Sequence, residues 1–87
     1  MLTDKQKEDR HIALSGLLIE FGASAHAFMD RILNSEMVTE DYYILQESEQ
    51  ALPQTVMHII CKRCKYGPKG NQKEWKEEIE AVKRVIK

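Results

Sequence analysis

Residues 11–33 read HIALSGLLIEFGASAHAFMDRIL. Their apolar register decides the fold class. His11, Leu14, Leu18, Phe21, Ala25, Phe28 and Ile32 follow one another at steps of three and four, the spacing that keeps side chains on one seam of a helix. Leu17 and Met29 widen that seam into a face. Upstream, Thr3 and Gln6 stand three apart, as the hydroxyl and amide of a capping box do. The expectation is one long amphipathic helix over about residues 4–33.

Two glycines interrupt its composition. Gly16 and Gly22 each cost a helix interior about 0.8–1 kcal/mol relative to alanine. The stretch from Gly22 to Ala27 also offers little bulk. Close approach of a neighbouring helix within the same chain is the expected reason for both, with a bend in the helix as the alternative.

Working outward, Asn34-Ser35 ends this helix and Thr39, followed by Glu40 and Asp41, starts the next. A hydroxyl cap with acids in the first turn suits the positive end of the helix dipole. Tyr42, Leu45, Leu52, Val56, Ile59 and Ile60 form its apolar set, and Pro53 falls inside it. Proline removes a helical hydrogen bond and crowds the preceding turn, so helix over about 40–63 is expected with a break near 51–53. Gly67, Pro68 and Gly70 stop it in a loop. A third helix over about 72–86 carries Trp75, Ile79, Val82 and Ile86 on a narrow stripe, with Trp75 stapling it to the other two. No stretch alternates with period two. The fold class is all-α, a long helical hairpin plus a shorter C-terminal helix in one small domain spanning 1–87.

The 87-residue chain carries 31% charged and 43% hydrophobic residues with a net charge of −1. Those proportions suit a globular protein and give no global field for nucleic acid or membrane. Locally the charge is uneven. Glu36, Glu40, Asp41, Glu47 and Glu49 lie in a segment without bases, whereas Lys62, Arg63, Lys65, Lys69, Lys73 and Lys76 accompany only Glu74. The hydrophilic N-terminus lacks the apolar core of a signal peptide, and no apolar run approaches the ~20 residues that span a bilayer. A cytoplasmic location with reduced thiols is expected, without a membrane.

The chemistry-bearing segment is HIICKRCKYGPKG, residues 58–70. His58, Cys61 and Cys64 recur at intervals of three and offer zinc its preferred donor types, but a structural site wants four ligands and no second cysteine pair exists. Redox chemistry fits poorly, since the pair falls at a helix C-terminus, where the dipole favours the neutral thiol. Lys62, Arg63, Lys65, Tyr66, Lys69 and Lys73 could grip an anion, although the P-loop spacing is absent. The plain alternative is a helix end with buried thiols and a basic skirt. His11 and His26, fifteen apart, would share a face of a continuous helix. No Ser-His-Asp arrangement, HExxH motif or paired-carboxylate pocket is visible.

The expected function is therefore a non-enzymatic helical interaction module without a cofactor. It would form a homo-oligomer and regulate or inhibit a protein partner. The interface would be Leu14, Leu18, Phe21, Ala25, Phe28 and Ile32, with Tyr43 as an outward anchor. The motive is size: a chain this short buries only about 60–65% of its unfolded surface. One alternative is binding of a nucleotide or nucleic acid by the basic 58–76 region, and another is a zinc-stabilised adaptor.

Overall fold

A computed structural model describes residues 2–48, 52–66 and 72–86. Among them are five helices and no strand: α1 (Asp4–Ala23), α2 (Ala25–Leu33), α3 (Thr39–Gln46), α4 (Gln54–Tyr66) and α5 (Gln72–Val85). The all-α reading holds, and the three-helix layout does not. The predicted loop at Gly67–Gly70 lies outside the described residues.

The long first helix is broken at Ser24. Its backbone is extended, at φ −154° and ψ 109°. One residue serves both ends: its N–H donates to the Glu20 carbonyl at 2.7 Å, and its hydroxyl accepts from the Ala27 N–H at 3.2 Å. Serine is among the residues best suited to that N-cap role. The break folds the heptad seam onto itself. Phe21 of α1 meets Phe28 of α2 edge-to-face at 5.1 Å, and Arg31 reaches back to Glu20 at 2.9 Å. Upstream, Thr3 and Gln6 form the predicted capping box.

The second predicted helix is likewise two. α3 ends at Gln46, earlier than Pro53 required, and α4 starts directly after Pro53, whose carbonyl accepts from Met57 N–H at 3.0 Å. Thr39 is the first helical residue and does not cap. The Asp41 carboxylate does that work by accepting the Val38 N–H at 2.9 Å.

The core is centred on α2. Phe28, Met29 and Ile32 are fully buried, packed with Leu14, Leu17 and Leu18 of α1, Leu45 of α3, Val56, Ile59, Ile60 and Cys64 of α4, and Trp75 and Ile79 of α5. Leu14, Leu18, Phe28 and Ile32 are therefore core residues of this chain, with Phe21 and Ala25 half-buried beside them. That corrects their assignment to an interface between chains. The Cα radius of gyration is 12.4 Å, against about 12 Å for a globular chain of this length. The chain covers its inner seam by itself.

Polar ties link the helices. Arg10 of α1 meets Asp41 of α3 at 2.6 Å, Lys62 of α4 meets Glu78 of α5 at 2.5 Å, and Lys83 of α5 pairs with Asp30 of α2.

Candidate functional site on the outer face of α1

The inner side of α1 is spent on the core, so its opposite side is what the molecule presents. Ile12, Gly16, Ile19 and Ala23 lie there at steps of four, three and four, a second helical seam. All four are exposed, and the isoleucines are 67% and 69% accessible. Ala13, Ser15 and Gly22 extend the exposed surface on either flank. Ser15 turns its hydroxyl inward, donating to the His11 carbonyl at 2.8 Å.

This surface is bare of charge. Between His11 and Met29 the only formal charge in the sequence is Glu20, which is engaged by Arg31 at the edge of the face. An exposed helix face in a chain with 31% charged residues ordinarily carries several. Within α1 charge resumes only N-terminally, with Asp4, Lys5, Lys7, Glu8, Asp9 and Arg10. Lone exposed isoleucines are unremarkable, but an uncharged apolar seam over about three turns marks a contact surface.

The glycines are not explained by packing in this chain. A Cβ built on Gly16 or on Gly22 meets nothing within 4 Å. The expected close approach inside the chain is absent at both, and the space above them is open.

The other predicted site residues are dispersed. Arg63 is only 3% exposed and belongs to the fold rather than to an anion site. Its Nη2 donates to the Leu33 carbonyl at 2.8 Å and its Nε to that of Ser35 at 3.2 Å, while its guanidinium lies 5.5 Å from the Trp75 ring centroid. Burial pulls the pKa of this guanidinium below its ordinary value. Lys62 is engaged by Glu78, whose hydrogen bond raises its pKa. Lys65, Tyr66 and Lys73 are exposed, and Lys69 lies outside the described residues.

The three candidate zinc donors do not converge. His58 is exposed and lines an apolar groove of about 370 Å³ between α4 and α5, walled by Ile59, Ala81 and Val82. Cys61 is exposed, whereas Cys64 is buried. Among the described residues no group of three or more His, Cys, Asp or Glu side chains is placed to hold a metal ion. The Cys64 thiol is pushed up to about 12, first by burial and then by the nearby Asp41 carboxylate. That thiol is inert near neutral pH, as a packing residue should be.

The histidines are also separated. His11 lines a shallow cleft between α1 and α3, and His26, carried onto α2 by the break, approaches the Ile86 carbonyl at 3.5 Å. Tyr43 is exposed as expected, with Tyr42 half-buried against it at 5.6 Å between ring centroids. No helix among the described residues is long and apolar enough to cross a membrane. No known protein family, curated protein or solved structure matches the chain.

Sequence reasoning missed this outer seam because the inner one is stronger and runs along the same helix. The signal that could have found it was the spacing of Ile12 and Ile19, together with the missing charges.

Proposed function

We propose that this protein is a non-enzymatic helical interaction module whose contact surface is the outer face of α1. It acts on a partner by occupying the surface it docks on. The observation that carries the reading is the uncharged seam Ile12-Gly16-Ile19-Ala23, exposed over about three turns of a helix whose other side is already buried. The motive expected from size alone, a chain too short to bury its own apolar surface, plays no part in this reading.

The test compares wild type with Ile12→Glu and Ile19→Glu. Both sites are exposed, so the monomer should keep its helix content and melting temperature. Association with any protein, including a second copy, should be lost in both variants, read by native mass spectrometry and by affinity capture from the source cells. Association that survives both substitutions would overturn the reading. So would a melting shift with nucleoside phosphates that disappears on substitution of Lys65 and Lys73, since mass action stabilises a protein by what it binds.

A further inference from the structure

The outer face carries more information than its apolarity. A two-fold interface uses one patch twice, so that patch must be complementary to itself. Along α1 the exposed seam reads large, small, large, small: Ile12, Gly16, Ile19, Ala23. In an antiparallel pair, residues oppose one another where their numbers sum to a constant. A sum of 35 sets Ile12 against Ala23 and Ile19 against Gly16, and does so in both directions at once. Each isoleucine then faces a position with little or no side chain, and the space above Gly16 is open to receive it.

We propose that two copies of this chain pair antiparallel through the outer faces of α1, with Ile19 of each seated over Gly16 of the partner subunit. This rests on the reading of that face as a contact surface, and it names the occupant. The charges choose the direction. Asp9 and Lys5 continue the same seam toward the N-terminus, at steps of three and four from Ile12. Parallel pairing would stack Asp9 on Asp9, Lys5 on Lys5 and Gly16 on Gly16, opposing like charges and leaving a gap. Antiparallel pairing carries the two copies of Asp9 about 26 Å apart along the axis and those of Lys5 about 38 Å apart, at 1.5 Å rise per residue. Glycine and alanine at the crossing allow the axes to approach the close end of the ordinary 8–10 Å range.

One helix face of about three turns buries less than the roughly 800 Å² per partner of a standard interface. The dimer is accordingly concentration-dependent, and the monomer stays folded without it.

Sedimentation of the full chain in reductant, from 1 µM to 1 mM, tests this directly. The weight-average mass should climb from the 10.1 kDa monomer toward twice that value. Gly16→Leu should weaken association more than tenfold while leaving the helix signal intact and the melting temperature unchanged or higher, since leucine favours helix and the site is open. Ile19→Glu should abolish association, and Gln46→Glu on the exposed side of α3 should leave it unchanged. Nitroxides on Lys5→Cys in a Cys61→Ser background should lie about 40 Å apart in the dimer. A monomer at 1 mM, or a dimer indifferent to Gly16→Leu and Ile19→Glu, overturns the pairing, and a label separation under 20 Å overturns the antiparallel arrangement. If the chain stays monomeric while another protein is captured in a manner sensitive to Ile19→Glu, the dimer is wrong and the contact face stands. If no association of either kind depends on Ile19, both fall.

Discussion

Replacing Arg63 probes the joint that holds α2, α4 and α5 together. The Leu33 carbonyl is one of the last four of α2, which have no partner inside their helix, and it lies at the negative end of the dipole. Arg63 supplies two charged hydrogen bonds there and lays its guanidinium against Trp75. Hydrogen bonds to charged groups contribute about 1.5–3 kcal/mol each, and a partly desolvated cation–π contact about 0.5–2. These terms overlap, so Arg63→Ala should cost about 3–5 kcal/mol, the range typical of breaking a buried charged network. An 87-residue domain has about 4–13 kcal/mol in total, so the variant would be barely folded.

Two further variants separate the causes. Arg63→Met keeps the stem over Trp75 but strands both carbonyls, and should cost about 2–4 kcal/mol. Arg63→Lys keeps the charge yet cannot serve two carbonyls and a ring from one plane, and should cost about 1.5–3. The assay is urea unfolding followed by circular dichroism and by Trp75, the sole tryptophan and a buried one. Slopes unchanged among variants would show that stability alone has moved. An Arg63→Ala cost under 1 kcal/mol would refute this account of the joint, as would an Arg63→Lys variant equal to wild type.

Three other outcomes follow from the same packing. Gly16→Ala at micromolar concentration should stabilise by about 1 kcal/mol, raising Tm by roughly 4–8 °C, because the methyl meets nothing; a drop in Tm would mean the site is not open. Ser24→Ala should cost about 1 kcal/mol by removing the cap at the corner, with helix content unchanged; an increase in helix would show that α1 and α2 had fused. Below pH 9 the Cys64 thiol is protonated in folded and unfolded chains alike, and between pH 9 and 12 only the unfolded chain loses that proton. Relative to Cys64→Val, wild type should therefore lose up to about 1.4 kcal/mol per pH unit across that window, and only Cys61 should react rapidly with a thiol reagent at pH 8; equal reactivity of both thiols would contradict the burial.

Much of the secondary structure was legible because periodicity reports burial directly. The seam through Leu14, Leu18, Phe28 and Ile32 is helical and buried, as its spacing implied. The corner at Ser24 was invisible to the same signal, since the seven-residue step from Phe21 to Phe28 is kept on both sides of it. What could have revealed it was local: a serine able to cap, preceded by Gly22 and Ala23. The role of Arg63 had no signal at all. A basic residue in a last turn reads as solvated, and only the packing of α4 beneath the end of α2 brings two orphan carbonyls within its reach.

The corner also bears on function. A continuous rod would have had to offer Leu14, Leu18, Phe28 and Ile32 to another chain to bury them. Folding back at Ser24 brings both halves of that seam into a single core, as the Phe21–Phe28 contact shows. Association through the inner seam would then require unfolding, which a marginal domain does not survive. The outer seam escapes this conflict, because Ile12 and Ile19 are as accessible in the folded monomer as an encounter requires. A residue that docks from outside the core can change its fit without threatening the fold, and Gly16, open above and helical in itself, is such a position.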